Sequence, residues 1–320
     1  MKIGFHLPET ERPVRWAEIA DLCRTAEAVG FDAIWVPDHL LYRFDGAEPT
    51  GPWECWSTLA AVAAITNRVE IGPLVLCAGF REPALVAKMA TTLEEISSGR
   101  LLLGLGVGWH EPEFAAFGFD HEHRFGRFNE AFTIIRTLLT EGRIDHEGRY
   151  YTLRDCEIRP RGPRPGGADV GTTGGGTTGG VAAGRQTIPL MIGSRGDRTL
   201  RHTLPHVAAW NGWYAWVGND PATYRALRDQ VDARCREVGR DPAEVERTLS
   251  VLLQMPGGEG YPVDPRAAAI RGEPEQLAEA LLAFAAEGLA AVQVVLEPNT
   301  VEAVERFGGA IELFRAHHPT

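Results

Sequence analysis

From one end of the 320-residue chain to the other, short β-rich runs alternate with longer stretches of helical period, and this alternation constrains the fold more than any other feature. "KIGFHL" leads into a helical stretch from Arg15 to Val29 that Gly30 stops, and "AIWV" leads through a loop from Asp38 to Glu54 into a helix from about Trp56. "VEIGPLVL" precedes "PALVAKMATTLEEI", where Pro83 suits a first helical turn, and "RLLLGLGV" precedes a helix near Phe125 to Leu139. There the rhythm breaks. "RIDHEGRYYTLRDCEIRP" predicts a small β-hairpin turning at Glu147-Gly148, and "GPRPGGADVGTTGGGTTGG" is a Gly/Thr-rich tract with too little apolar surface to offset the entropy of ordering. The alternation resumes with "IPLMIG" and Arg198 to Leu204, "VAAWN" and Ala222 to Val238, "TLSVLLQM" and Glu275 to Ala286, and "AAVQVVL" and Val301 to Ala316. Eight consecutive parallel units with right-handed crossovers close into a (β/α)8 TIM barrel. The expectation is an α/β chain forming a single domain over 1–320, with the hairpin and a flexible segment at about 162–187 inserted between the fourth and fifth units. A doubly wound open sheet is the alternative for the same alternation, and the Gly/Thr tract reads either as a surface insertion or as a lid over a site.

Charge and cysteine usage narrow the function classes. A net charge of −11 opposes phosphate backbones and anionic lipid surfaces, so neither nucleic acid nor membrane is expected as the main partner. No apolar run approaches the roughly 20 residues that cross a bilayer. "MKIGFHLPET" enters a strand pattern without the features of a secretory signal, which predicts a cytoplasmic protein. Cys23, Cys55, Cys77, Cys156 and Cys235 are scattered and form no C-x-x-C pair, so neither a disulfide framework nor a zinc site is indicated. His121 and His123, two residues apart, would point to different faces of a helix, and no metal is expected there.

In a barrel of this kind the chemistry sits at the C-terminal ends of the strands. The second strand ends in Asp38 and His39: an imidazole there can give or take a proton near neutral pH, and the neighbouring carboxylate can orient it. Read structurally, the same pair is a capping Asp beside a packed His. The third strand ends at Cys77, either an inert buried thiol or a residue facing the site. The fourth ends "GLGVGWHEPE", which lacks G-x-G-x-x-G but whose Gly104, Gly106 and Gly108 would let a flat ring lie close to backbone, or simply fit a crowded strand. Trp109 and His110 follow as lining, with Glu111 and Glu113 starting a helix. After the fifth strand, Gly193, Ser194, Arg195 and Gly196 offer N–H groups, a hydroxyl and a guanidinium to a phosphate. The sixth ends "WNGWYAW", an aromatic cluster that reads as core before it reads as cofactor box.

Together, "AEAVGFDAIWVPDHL", "TNRVEIGPLVL", "EEISSGRLLLGLGVGWHEPEFAAFG", "RFNEAFTIIRTLLTEGRIDHEGRYY" and "IPLMIGSRGDRTLRHTLPHVAAWNGW" resemble the bacterial-luciferase-like superfamily of flavin- and deazaflavin-dependent oxidoreductases. The resemblance spans roughly Lys2 to Trp213 and implies a flavin or deazaflavin ring at the C-terminal mouth of the barrel. It implies further that a non-prolyl cis peptide at Leu74-Val75 backs the ring, that Asp38 and His39 lie beside it, that Cys77, Gly106, Gly108 and Trp109 border it, and that Gly193 to Gly196 hold the cofactor phosphate. "VPDHL" and "GLGVGWHEPEF" are more similar to the branch that uses coenzyme F420 than to the FMN-dependent two-component monooxygenases. The implied reaction is hydride transfer to or from a small organic substrate, with His39 as proton donor or acceptor. FMN with O2 is the alternative, and a non-catalytic cofactor-binding barrel the second. A reductase supplying reduced cofactor and a homodimer are the partners the family implies. Two departures stand out: Trp109 occupies the place where the family's sugar-phosphate dehydrogenases carry Glu, and Arg195 replaces a common Gly.

Overall fold

A computed structural model of the chain describes residues 1–163, 187–258 and 267–318. The Gly/Thr tract at 171–180, and all but the ends of the insertion expected at 162–187, lie outside the described residues. In chain order the elements are β1 (Lys2–His6), α1 (Trp16–Val29), β2 (Ala33–Val36), α2 (Cys55–Ile65), β3 (Glu70–Pro73), β4 (Leu76–Cys77), α3 (Pro83–Ile96), β5 (Leu103–Gly106), α4 (Glu111–Phe117), α5 (Arg124–Glu141), β6 (Arg143–Glu147), β7 (Thr152–Glu157), β8 (Leu190–Ile192), α6 (Asp197–Thr203), β9 (Ala209–Gly212), α7 (Pro221–Glu237), β10 (Glu246–Gln254), β11 (Ile270–Arg271), α8 (Pro274–Ala286), β12 (Ala291–Glu297) and α9 (Val301–His317). Counting β3 and β4 as one interrupted strand, the eight expected strand–helix units follow one another in the expected order, and the fold class is the (β/α)8 TIM barrel.

The chain divides into two compact units, Met1–Val36 with Ile192–Thr320, and Pro37–Met191. In the first, five parallel strands run in the order β2-β1-β12-β10-β9, with Phe5 level with both Ile34 and Val294. β12 is buried along its whole length and β10 nearly so, as strands covered on both faces must be, which explains their unbroken apolar runs. Phe31 stacks on Phe307 of α9 at 5.5 Å, and Gly30 ends α1 in the left-handed region (φ 105°) that favours glycine. The short β11 beside β10 has no counterpart in the sequence pattern.

In the second unit β4 pairs in parallel with β5, placing Cys77 level with Gly106. The expected third strand is here two pieces, with a cis Leu74-Val75 peptide between them. Arg100, buried just before β5, donates to the carbonyls of Ala63 and Thr66 at 2.9 Å and of Val69 at 2.8 Å, so backbone oxygens satisfy its buried guanidinium. The hairpin forms as predicted from β6 and β7, and Glu130 of α5 fixes its turn by accepting the N–H groups of Arg149 and Tyr150, each at 3.0 Å. α3 spans the residues the sequence indicates, opening on Pro83.

Candidate active site

The loop after β2 carries two titratable neighbours into different surroundings. Asp38 is buried, and all three of its bonds go to fixed donors. Oδ2 accepts from the Cys77 N–H and from Arg81 Nη1, both at 2.8 Å, and Oδ1 accepts from Arg81 Nη2 at 2.9 Å. Burial pushes the Asp38 carboxyl up from its ordinary value, and the guanidinium opposes this. The same arginine is pushed up by that pairing despite its own burial. The ion pair is the arrangement that the geometry accommodates, since a bidentate guanidinium and an amide offer a carboxylate donors and no acceptor. Arg81 Nη2 reaches on to Glu54 Oε1 at 2.7 Å, and Glu54 in turn caps α2 by accepting from Trp56 and Ser57 N–H at 3.1 and 2.7 Å. The expectation that Asp38 orients His39 meets a different partner here.

That partner is Glu113. His39 Nδ1 lies 2.9 Å from Glu113 Oε1, and Glu113 Oε2 accepts the Leu40 N–H at 2.9 Å and the Leu41 N–H at 3.5 Å. The glutamate, 1% exposed, therefore fixes both the imidazole and the backbone that carries it. A carboxylate can only accept, so Nδ1 holds the ring's proton. The His39 side chain retains 18% exposure. Tyr42 lies face to face with it at 4.4 Å and Trp109 meets it edge-on at 5.7 Å. His110, buried beneath, accepts the Arg43 N–H at Nε2 (3.0 Å), and burial lowers its pKa, so it stands as a neutral packing ring.

The glycines of β5 have specific neighbours. A Cβ on Gly106 would lie 2.6 Å from Val75 Cγ2, and one on Gly104 2.3 Å from the Pro73 carbonyl oxygen, so both glycines let β5 close on the strand that holds the cis peptide. Gly108, at φ 81°, has Cys77 Sγ and Phe114 Cζ within 2.5 and 2.7 Å of where its Cβ would be. The Cys77 thiol is buried among these groups and burial raises its pKa, which keeps it protonated and unreactive as a nucleophile. Its backbone N–H, by contrast, holds Asp38.

The structure thus brings together, within the Pro37–Met191 unit, Asp38, His39, Leu74, Val75, Cys77, Gly106, Gly108 and Trp109. Gly193 to Gly196 belong to the other unit. There Arg195 and Gly196 are exposed, the Ser194 hydroxyl accepts from the Gly196 N–H at 3.2 Å, and the Ser194 carbonyl accepts from Trp210 Nε1 at 2.6 Å. The Arg195 guanidinium lies 5.4 Å from the Trp216 ring centre. Trp210 and Tyr214 of "WNGWYAW" are fully buried, as core. Sequence reasoning did not single out Arg81 or assign Glu113 its role. An acidic residue in the first turn of a helix is an ordinary helix start, and an Arg before Glu-Pro an ordinary loop.

A family model described as "Luciferase-like monooxygenase" matches residues 1–255. The chain belongs to the luciferase-like monooxygenase family. Among its relatives in that family it is 35% identical over 263 residues to an F420-dependent glucose-6-phosphate dehydrogenase of Segniliparus rotundus, a match covering 79% of this chain and 68% of the other. It is 35% identical over 205 residues to the enzyme of the same name from Amycolatopsis mediterranei, covering 62% of this chain but only 56% of that one. Pyrimidine monooxygenase RutA of Cronobacter sakazakii is 26% identical over 193 residues, covering 59% and 50%. Two solved structures share the luciferase-like fold at 19% identity: an F420-dependent secondary alcohol dehydrogenase in complex with an F420-acetone adduct (TM-score 0.76, covering 98% of this chain and 99% of that one), and the coenzyme F420 dependent tetrahydromethanopterin reductase of Methanopyrus kandleri (TM-score 0.73, with the same coverage).

Proposed function

We propose that this chain is an F420-dependent oxidoreductase that transfers hydride between the deazaflavin and a small organic substrate, with His39 moving the accompanying proton. The observation that carries the reading is the His39–Glu113 pair: a part-exposed imidazole held at Nδ1 by a buried carboxylate keeps its orientation while it gives or takes a proton. The names of the relatives support the choice of cofactor.

The residues present fit such a group. In the Pro37–Met191 unit, Gly104 and Gly106 let β5 close on the segment holding Leu74 and Val75, which would back the ring; in the other unit, taken by itself, Ser194 and the exposed Arg195 carry a hydroxyl and a guanidinium suited to a phosphate. Bound F420 would supply the hydride acceptor or donor. Glu113 would hold the imidazole in one tautomer, Asp38 and Arg81 would anchor the loop bearing it, and Leu74, Val75, Cys77, Gly106, Gly108 and Trp109 would border the ring. In this reading the partners are the substrate, a reductase where reduced cofactor is consumed, and a second copy of the chain; the site of action is the cytoplasm. No helix among the described residues is long and apolar enough to cross a membrane.

The similarity to RutA favours a second reading, an FMN-dependent monooxygenase using O2. A paired fluorescence titration of the purified chain with oxidised F420 and with FMN separates the two. Saturable binding of F420 alone, weakened by Arg195→Ala, is the expected result. Preference for FMN would replace the proposal with the second reading, and binding of neither would leave the non-catalytic barrel.

A further inference from the structure

Between Tyr42 and Thr50 the chain loops out and returns as a flap. The Tyr42 N–H donates to the Thr50 carbonyl at 2.7 Å and the Thr50 N–H donates back to the Tyr42 carbonyl at 3.1 Å, so the two ends are paired. The chain turns between them at Gly46, whose φ of 76° favours glycine, and every residue from 43 to 50 is exposed. At its base the flap carries the buried Tyr42, whose ring lies against His39. Two side chains from the start of α4 grip this stretch: Glu113 accepts the Leu40 and Leu41 N–H groups, and His110 Nε2 accepts the Arg43 N–H at 3.0 Å. A neutral imidazole has one acceptor nitrogen, so the bond to Arg43 places the ring's proton on Nδ1. A second proton would sit on Nε2 itself and set one N–H donor against another, replacing the bond with repulsion.

His110 is buried, with the rings of Phe44 and Trp109 each 5.0 Å away and that of Tyr42 at 5.6 Å. The ionisable groups that face it are Glu113, which favours the protonated ring, His39, which opposes it, and the Tyr42 phenol. The flap's own Arg43, Asp45 and Glu48 are exposed, as is the Glu111 carboxylate beside His121. Burial outweighs the pull of Glu113 and holds the ring's pKa below its ordinary value of 6.5. A closed flap therefore prefers the neutral ring, and an open flap, with the ring solvated, returns it to the ordinary value. The bond's contribution is fully present above pH 6.5 and is lost as pH falls through the lower closed-state value, because the open state takes up the proton first.

We infer that His110 is a positioning residue that fastens the flap at Arg43, and so seats the Tyr42 ring against His39, and that protonation at Nε2 releases the flap and opens the His39 pocket in mild acid. As regulation of that pocket the inference rests on the oxidoreductase reading of His39; the release of the flap itself does not.

Hydrogen exchange of the full chain without cofactor tests it, read at the Arg43 amide at about pH 7.5 and about pH 5.5 with the intrinsic pH dependence of exchange divided out. Protection of Arg43 is expected to fall several-fold in acid, toward a ceiling of about 10-fold one pH unit below the ordinary imidazole value, while the amides of α3 in the same unit keep theirs. His110→Gln supplies an amide oxygen that accepts the N–H and takes up no proton, so it should stay protected at both values, whereas His110→Ala should be unprotected at both. Wild-type protection that ignores pH, or an acid loss that persists in H110Q, would overturn the inference. A second measurement needs no substitution: the 15N shifts of the wild-type ring should show a bare Nε2 and a protonated Nδ1 at neutral pH, and the opposite tautomer would also overturn it. In turnover, acid should raise KM in the wild type more than in H110Q, while the kcat limb that belongs to His39 stays in place in both. Failure of F420 to bind, with the exchange pattern intact, strikes the cofactor reading alone.

Discussion

Asp38 and His39 are consecutive, yet they stand in regions of opposite character. Asp38 lies in a knot of charge-assisted bonds: two from Arg81, one from Cys77 N–H, and Arg81 tied on to the cap of α2. His39 lies in a half-open pocket where Glu113 holds one ring nitrogen and the rings of Tyr42 and Trp109 flank the imidazole. The difference separates holding from doing. A charge held by fixed donors in the folded state contributes to the shape of a loop, and an imidazole anchored at one nitrogen by a carboxylate can exchange a proton without losing its place. Stability and turnover should therefore respond to different substitutions within the same few residues.

The largest effect is expected where the knot is cut. Arg81→Ala strands the Asp38 carboxylate in a buried site without its counter-charge, which costs about 3–5 kcal/mol of folding stability. Denaturant unfolding at neutral pH measures it. A loss under 1 kcal/mol would mean that Asp38 takes up a proton instead, and the contrast between the two regions would narrow. His39→Ala should do the reverse, cutting turnover by about 10² to 10⁴ while unfolding stays close to wild type, because the lost group leaves a site already open to solvent. Equal losses in both assays would erase the distinction.

The fold was more legible than this division of labour. Buried parallel strands announce themselves as short apolar runs, so "AIWV" marks β2 residue for residue, and Pro83 marks the start of α3. The interruption of the third strand carries no period of its own; only the family resemblance pointed to Leu74-Val75. Within the site, Asp38 and His39 were visible because they end an apolar run. Their partners were not, because Glu113 is 74 residues from His39 and Arg81 is 43 from Asp38, and nothing in local pattern announces a pairing at that separation. A neighbouring carboxylate in sequence was the natural guess for the one that orients the ring, and the fold supplies a distant one.

Glu113→Gln sharpens the comparison from the side of the pocket. The amide has one acceptor where the carboxylate has two, so it can satisfy His39 Nδ1–H or the Leu40 N–H, but not both. Turnover should drop about 10-fold or more. Removing the negative charge also makes the imidazole harder to protonate, so the acid limb of the pH–rate profile for substrate oxidation should move to lower pH. A drop in rate with the limb unmoved would reduce Glu113 to a packing residue and leave His39 without its distinguishing partner.

The smallest effect belongs to the rim of the knot. Glu54 caps α2 and touches Arg81, and although partial burial opposes its charge, its bonds to Ser57, Arg81 and Trp56 hold its carboxyl below the usual value. Its side chain is 42% exposed, so solvent screens the ion pair, and the cap should dominate: Glu54→Ala is expected to cost about 1 kcal/mol. The sign with pH follows from the depressed pKa. The folded state prefers the ionised form, so this stability is fully present above the unfolded carboxyl's range near pH 4.5 and is lost as pH falls through the lower folded value. Unfolding curves of wild type and variant should therefore stand apart at pH 7 and converge toward pH 3. If they stayed equally separated at both, the contribution of Glu54 would be packing rather than charge, and the knot would consist of the Asp38–Arg81 pair alone.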